Sequence, residues 1–276
     1  MASATVLERQ KISTDSSYIK TARALYKEDV LNLINGKYLC LRIPNYYPNW
    51  LCESITNRLL DLPLFSRYSR AKSVGVKRTG LTFFETKGDS ELLQKYYDEV
   101  KDVSTAIRNS CFPYLAPIDK LRLELEEMWP MGARLENIHG KTMMAGIVRM
   151  FEENFELPPH QDILARDVDG FISQTILHTQ LSANIYLQSA RYGGELQVWQ
   201  AKPCQSEFIT LTTDGLHLDP EKLEGTKVQI KPMQGDLILF DSGRVHSVQP
   251  SVEGTRVSMS CFIGYRGSDT PLTYWS

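Results

Sequence analysis

The stretch GDLILFDSGRVHSVQPSVEGTRVSMS (residues 235–260) consists of short apolar runs separated by turn residues. Gly235-Asp236 indicates a turn, LILF is typical of a buried strand, and DSGR indicates the next turn before VHSV. A further strand begins at Arg256 and continues as RVSMSCFIGY. This regular succession of strand and turn favours a β-sandwich or a β-barrel.

The same pattern extends over residues 133–265, where apolar runs alternate with turns rich in Gly, Pro and Ser. The other predicted strands are MMAGIVRMF, LSANIYL, GELQVW and KVQI. Such a series predicts a jelly roll, a cupin-like barrel in which segments distant in the sequence become neighbours.

The pattern is mainly helical from residue 20 to residue 128. The predicted elements there are a strand at 38–45 and helices at 49–62 and 90–129, with a break at Phe112-Pro113 and Pro117. We therefore expect a mainly β protein with flanking helices. Residues 1–130 are expected to form a mostly helical scaffold packed on the major sheet of a jelly-roll core (131–276). The N-terminal part has no independent fold pattern, so we expect residues 1–276 to form one domain.

The composition is that of an ordinary globular protein, with 42% hydrophobic and 23% charged residues and a net charge of −2. The lysines and arginines are scattered, which argues against binding to nucleic acid or to an anionic membrane. The five cysteines include no CxxC pair, which favours a reducing compartment. Residues 1–17 are polar, resemble no signal peptide and are expected to be frayed. We expect a cytoplasmic protein.

The segment PPHQD (158–162) contains the first candidate metal ligands. In an extended strand, His160 and Asp162 point to the same side, so both could bind one cation. His246 is the best third ligand because a jelly roll can bring its strand beside this segment. Two imidazoles and one carboxylate form a facial triad that leaves three metal positions open. A chance HxD pair at a polar turn is the alternative. The other histidines, His139, His178 and His217, lack partners at ligand spacing and are interpreted as structural.

Arg256 and Ser258 lie on one face of the last long strand, while its alternate residues look like core. An inward-facing arginine needs an anion, and a guanidinium matches a carboxylate. A dicarboxylate could therefore bind Arg256 at one end and the metal at the other. A surface ion pair with Glu253 is the alternative. Asn184 lies on the polar face of LSANIYL and is a further candidate contact for this co-substrate, unless that face is turned to solvent.

Two more arginines are candidate contacts, Arg149 for a substrate or co-substrate carboxylate and Arg166 for a substrate acid. Arg149 lies eleven residues before His160 in a predicted strand, and Arg166 follows the HxD segment in a loop at the barrel rim. The alternatives are an ion pair of Arg149 with Glu152 or Glu153, and a solvated Arg166.

These motifs occur in the order His160-x-Asp162, Gly193-Gly194-Glu-Leu, Gly235-Asp236-Leu-Ile-Leu-Phe, His246 and Arg256-x-Ser258. This order resembles the Fe(II)/2-oxoglutarate-dependent oxygenases of the double-stranded β-helix fold over about residues 145–265. LSANIYLQSARYGGELQVW and the terminal LTYWS look like segments of the freestanding halogenases of hapalindole-type alkaloid pathways and of related amino-acid hydroxylases. Those halogenases have Gly where this chain has Asp162, so the resemblance implies hydroxylation and not halogenation.

The resemblance implies the cofactors Fe(II), 2-oxoglutarate and O₂. The implied reaction hydroxylates an unactivated C–H bond of a small molecule and releases succinate and CO₂. The substrate would be a free or derivatised amino acid or an alkaloid-like natural product, without a carrier protein, and the enzyme a monomer or homodimer. The alternatives are desaturation or cyclisation on the same fold, a cupin-like enzyme with another metal, and a jelly-roll binding protein without catalysis.

Overall fold

The structure is a computed structural model that describes residues 16–68, 75–138, 140–168, 170, 172–212 and 214–276. The expected fraying of the N-terminus falls mostly on residues 1–15, which lie outside the described residues. The same holds for the structural role expected of His139.

The N-terminal part, within the described residues, combines four helices with short strands. Its elements are β1 (Ile19–Thr21), α1 (Lys27–Ile34), β2 (Cys40–Ile43), α2 (Asn49–Leu60), β3 (Phe65–Arg67), β4 (Val76–Thr79), a 3-10 helix (Phe83–Thr86), α3 (Ser90–Cys111) and α4 (Pro117–Met128). The carboxylate of Asp89 caps α3 by accepting hydrogen bonds from the backbone of Glu91 and Leu92 at 3.1 and 3.0 Å. Pro117 opens α4 at a position where a missing N–H is harmless. The break predicted inside 90–129 is therefore confirmed.

The C-terminal part consists mainly of strands. Its elements are β5 (Ala133–Leu135), β6 (Asn137–Ile138), β7 (Lys141–Thr142), β8 (Ile147–Phe151), β9 (Leu157–His160), β10 (Thr179–Gln188), β11 (Tyr192–Gly193), β12 (Leu196–Trp199), α5 (Gln205–Leu211), β13 (Lys227–Ile230), β14 (Leu237–Asp241), β15 (His246–Val248), β16 (Ser251–Val252), β17 (Arg256–Tyr265) and β18 (Leu272–Trp275). Short 3-10 helices lie at Leu164–Arg166, Ser173–Thr175 and Pro220–Lys222.

Two facing sheets form the jelly roll. The major sheet has the central order β14-β10-β17-β8, and the minor sheet has the order β13-β12-β15-β9. The chain passes repeatedly from one sheet to the other, so strands far apart in sequence become neighbours. The predicted double-stranded β-helix is confirmed.

The two faces of β10 have different surroundings because side chains alternate along a strand. Leu181, Ala183, Ile185 and Leu187 are fully buried and belong to the cluster that includes helix residues such as Ile55 and Leu59. On the other face, Ser182, Asn184 and Tyr186 line a cavity between the sheets. The apolar back thus anchors the helical scaffold, and the polar front is available for a ligand.

The N-terminal part contributes more strands than the sequence pattern predicted. The predicted strand at 38–45 is present as β2, which pairs with β14, but β4 also pairs with β8 and β3 with β4. These strands extend both sides of the major sheet. They are short, and a three- or four-residue strand shows too little alternation to be recognised in the sequence. No helix among the described residues is both long enough and apolar enough to cross a bilayer.

Candidate metal and co-substrate site

The structure brings His160, Asp162 and His246 together. β9 and β15 are antiparallel neighbours, and His160 lies directly opposite His246 in the register. The imidazole rings are 4.2 Å apart between centroids, and His246 Nε2 lies 3.3 Å from Asp162 Oδ2. One potential donor atom from each of the three residues can be chosen such that all lie within 4.8 Å of one another. Bonds of about 2 Å to one ion place donor atoms at most about 4 Å apart, so a small side-chain adjustment would bring all three onto one ion.

Backbone carbonyls orient both imidazoles. His160 Nδ1 lies 2.8 Å from the carbonyl oxygen of Pro158, and His246 Nδ1 lies 3.0 Å from that of Arg244. A carbonyl oxygen only accepts, so Nδ1 donates, and Nε2 is the nitrogen left for a metal when the imidazole is neutral. Both rings are thus oriented for metal binding through Nε2.

The electrostatics of the cluster also suit a cation. Burial and the neighbouring His246 lower the pKa of His160 to about 4, so this imidazole is neutral at pH 7. Burial acts to raise the pKa of Asp162, but His246, His160 and Arg149 outweigh it and lower the pKa to about 2. A neutral imidazole and an ionised carboxylate are the forms that bind a metal.

Arg256 lies buried at the wall of the same cavity and is 5% exposed. Its Nη1 donates to the carbonyl oxygen of Gly194 at 3.4 Å, whereas its buried Nε has no hydrogen-bond partner among the described residues. The alternative partner Glu253 is bound to Arg191 at 3.0 Å instead. Ser258 lines the cavity two residues further along β17. Arg256 is therefore a buried cation without a carboxylate partner among the described residues.

The turn at Gly193-Gly194 lets the backbone come close to the Arg256 guanidinium. Both glycines have positive φ, and a Cβ on Gly193 would lie 2.1 Å from the carbonyl oxygen of Pro250. A larger residue could not adopt this turn without moving the backbone.

Asn184 lines the cavity and donates to the hydroxyl of Ser182 at 3.0 Å. The sequence analysis did not select Tyr186, whose ring lies 5.7 Å from the Arg256 guanidinium carbon. Burial raises the pKa of Tyr186 to about 12, so the phenol keeps its proton and can donate to an anion. The polar face of LSANIYL already contained Tyr186 as a candidate.

The two arginines predicted as substrate contacts have different positions. Arg149 lines the cavity, and it does not pair with Glu152, which binds Arg67 and Lys77, or with Glu153, which accepts from the backbone of Gly254. Arg166 is not among the cavity-lining residues. Its guanidinium lies 4.4 Å from the ring of Phe208 and donates to the side chain of Gln161 at 3.0 Å. The rim loop therefore turns Arg166 away from the cavity.

The cavity has a volume of about 760 Å³. Several residues that line it were not predicted from the sequence as site residues, namely Tyr68, Phe83, Phe84, Asp167, Asp214 and His217. His217, interpreted above as structural, bonds through Nδ1 to the Asp214 carboxylate at 2.7 Å in the segment between α5 and β13. The turn residues of this segment were the only sequence feature that could have indicated a loop beside the cavity. His178, in contrast, packs against Tyr265 outside the cavity.

Residues 145–264 match the family model described as 2OG-Fe(II) oxygenase superfamily. This region is therefore similar to that superfamily. The match covers β8 to β17, which carry the His160–Asp162–His246 cluster and Arg256. Members of the 2OG-Fe(II) oxygenase superfamily are oxidoreductases that use Fe(II), 2-oxoglutarate and O₂, which are the cofactors predicted above.

Solved structures share the fold of this region and of the N-terminal part of the chain. An N-substituted L-amino acid dioxygenase from Burkholderia ambifaria AMMD, in complex with alpha-KG, has a TM-score of 0.61 and 17% identity, with 90% of each chain covered. Another structure of a dioxygenase of this description from the same organism has a TM-score of 0.59 and 16% identity, with 90% of this chain and 91% of that chain covered. No protein with a curated description matches the chain. At these identities the likeness establishes the fold.

Proposed function

We propose that the protein is an Fe(II)- and 2-oxoglutarate-dependent dioxygenase that hydroxylates an unactivated C–H bond of a small molecule and releases succinate and CO₂. The observation that carries the proposal is one cavity that contains both the His160–Asp162–His246 cluster and the unpaired Arg256. A binding protein without catalysis has no need for this combination, and a cupin-like enzyme with another metal has no need for Arg256.

In this proposal His160, Asp162 and His246 hold the iron, which fits their tautomers and charges. Arg256 binds the distal carboxylate of 2-oxoglutarate, and the hydroxyls of Ser258 and Tyr186 can add hydrogen bonds. Bound iron and 2-oxoglutarate supply the oxidising power, while the protein positions the substrate and excludes water.

The carboxylate of Asp162 favours hydroxylation over halogenation. It would occupy the metal position that halide takes in the hapalindole-type halogenases. Desaturation and cyclisation remain the alternative outcomes on this site. We propose a free amino acid, an amino-acid derivative or an alkaloid-like compound as substrate, in cytoplasmic natural-product biosynthesis. No nucleic acid, membrane or carrier protein takes part, and the enzyme acts as a monomer or homodimer.

Anaerobic loading with Fe(II) and 2-oxoglutarate tests the proposal. We expect a weak visible charge-transfer absorption of the iron–2-oxoglutarate complex in the wild type and none in Asp162→Ala or His246→Ala, which lack a metal ligand. His178→Ala is the matched control and should retain the absorption, because His178 lies outside the cavity. A well-folded wild-type protein without this absorption would exclude the proposed function.

A further inference from the structure

The cavity contains a second cation that the co-substrate does not neutralise. Arg149 lies on β8 directly opposite Ser258 on β17, so its side chain and that of Ser258 occupy the same face of the major sheet. Its Nε donates to the hydroxyl of Tyr68 at 2.8 Å, and its Nη1 donates to the hydroxyl of Ser260. Both acceptors are uncharged, so Arg149 forms hydrogen bonds without an ion pair.

A fully buried arginine elsewhere, Arg78, shows how the same protein neutralises such a charge. Arg78, 2% exposed, binds the carboxylate of Glu85 through Nε and Nη2 at 2.6 and 2.5 Å. Among the described residues, no carboxylate oxygen lies within the 4.0 Å ion-pair distance of Arg149. Arg149 is half-buried, and a guanidinium withdrawn this far from water without a counter-ion is costly unless a ligand supplies one.

The acidic residues near Arg149 have other partners. Burial acts to lower the pKa of Arg149, but Tyr68, Asp162 and Glu85 outweigh it, so the guanidinium is charged. Glu85 is the partner of Arg78, and Asp162 would be a metal ligand. Asp167 also lines the cavity, but burial raises its pKa well above the usual range, which makes it a poor counter-ion.

If the proposed function is right, the charges of bound iron and 2-oxoglutarate do not neutralise Arg149. The two charges of Fe(II) and the one of Arg256 are balanced by Asp162 and by the two carboxylates of 2-oxoglutarate. Two further carboxylates line the cavity, but Asp214 binds His217 and Glu156 is exposed, and neither lies within the 4.0 Å ion-pair distance of Arg149. The primary substrate is the component that would bring an anion to Arg149.

The lining of the cavity indicates the chemical character of the substrate apart from its anionic group. The cavity wall includes the aromatic rings of Phe83, Phe84, Phe262 and Trp275. Its volume lies within the range of about 300–1,000 Å³ typical of small-molecule sites, which leaves room for a ligand beside 2-oxoglutarate. One cation beside an aromatic wall is complementary to a carboxylate on an apolar body.

We propose that the primary substrate is a carboxylic acid with an apolar or aromatic body, and that Arg149, positioned by Tyr68 and Ser260, binds its carboxylate. This makes Arg149 the residue that determines specificity for an acid over the corresponding neutral compound. Arg166, the other arginine considered for this role, has no part in it because it lies against Phe208.

Calorimetric titration of the anaerobic Fe(II)–2-oxoglutarate protein tests this role. The probes are 3-phenylpropanoate, indole-3-propanoate and N-acetylphenylalanine, each compared with its primary amide. We expect at least one acid to bind about tenfold or more tightly than its amide in the wild type, and Arg149→Gln to remove that preference. Arg149→Lys should restore part of it. Arg166→Gln is the matched control and should bind the probes like the wild type.

The visible absorption of the iron–2-oxoglutarate complex separates this proposal from the one on which it rests. Arg149→Gln should keep the absorption and the affinity for 2-oxoglutarate, and Arg256→Gln should weaken that affinity. Loss of 2-oxoglutarate binding in Arg149→Gln would assign Arg149 to the co-substrate and overturn the inference while leaving the oxygenase function intact. Equal binding of every acid and its amide by the wild type would overturn it as well, and so would an equal loss of preference in Arg166→Gln.

Discussion

At the scale of single residues, local backbone geometry orients the candidate ligands. Each imidazole bonds to the carbonyl oxygen two residues before it, Pro158 for His160 and Arg244 for His246. Such short-range bonds fix the tautomer before any long-range contact is made. Each strand end therefore presents a pre-oriented Nε2, and the fold has only to bring β9 and β15 side by side.

Asp167 gives a prediction on pH at this scale. Its pKa is raised by burial first and by Asp162 second, so the folded state favours the protonated acid. A folded pKa above the unfolded value means that the stabilisation is fully present below the unfolded pKa, about 4, and is lost as the pH rises through the folded pKa. We expect Asp167→Asn to be more stable than the wild type in the metal-free protein, increasingly so from pH 5 to pH 8.

Urea unfolding at several pH values measures this difference. Asp269→Asn, which changes an exposed aspartate, is the control and should follow the wild type at each pH. A constant difference between Asp167→Asn and the wild type from pH 5 to pH 8 would show that burial of Asp167 does not suppress its ionisation.

Residue spacing predicted part of the candidate site and missed another part. His160, Asp162, His246 and Arg256 are recognisable because each chemical type stands at a fixed offset from a strand or a turn. Cavity residues such as Phe83 and Asp167 have no such signal. Their position depends on how a loop lies over the barrel, and many sequences allow that.

At the scale of elements, a buried ion pair holds the aromatic wall in place. Arg78 at the end of β4 binds Glu85 in the 3-10 helix Phe83–Thr86, and both side chains are at most 3% exposed. Glu85 also accepts from the backbone and the hydroxyl of Thr82 at 3.1 and 2.9 Å. The rings of Phe83 and Phe84 are thereby fixed to an edge of the major sheet.

Removing one partner of this pair should be strongly destabilising. We expect Glu85→Gln to lower the free energy of unfolding by about 3–5 kcal/mol, since it leaves the Arg78 charge buried and unpaired. The double variant Arg78→Met/Glu85→Leu should lose less, because no charge is stranded. Glu99→Gln, which breaks an exposed pair with Lys95, is the control and should change the value by less than about 0.5 kcal/mol. Chemical denaturation measures the free energy of unfolding of each variant. Equal decreases in Glu85→Gln and Glu99→Gln would contradict the role of the buried pair.

The elements themselves were predictable in proportion to their length. β10 and β17 have ten residues each, and their alternation is clear in the sequence. β4, of four residues, owes its extended form to pairing with β8, a partner about seventy residues away, and the three-residue β3 pairs in turn with β4. Pairing at that distance leaves no local pattern.

At the scale of the whole molecule, the site joins the two sheets. The candidate iron ligands lie on or next to β9 and β15 of the minor sheet, whereas Arg256 and Ser258 lie on β17 of the major sheet. The succession of strands predicted the jelly roll, but not the strands that the N-terminal part adds to the major sheet. A ligand held by both sheets should stabilise the complete fold.

Thermal unfolding under anaerobic conditions checks this coupling. Fe(II) should raise the melting temperature of the wild type, and 2-oxoglutarate should raise it further. At a hundredfold excess over its Kd, 2-oxoglutarate should add about 2.7 kcal/mol to the free energy of unfolding. In Arg256→Gln only the second step should be lost, because the minor sheet still binds the metal. In His246→Ala both steps should be lost, because the co-substrate would need the metal at one end and Arg256 at the other. An undiminished response of His246→Ala to 2-oxoglutarate would mean that the major sheet binds it alone, and the two sheets would then not be joined through this site.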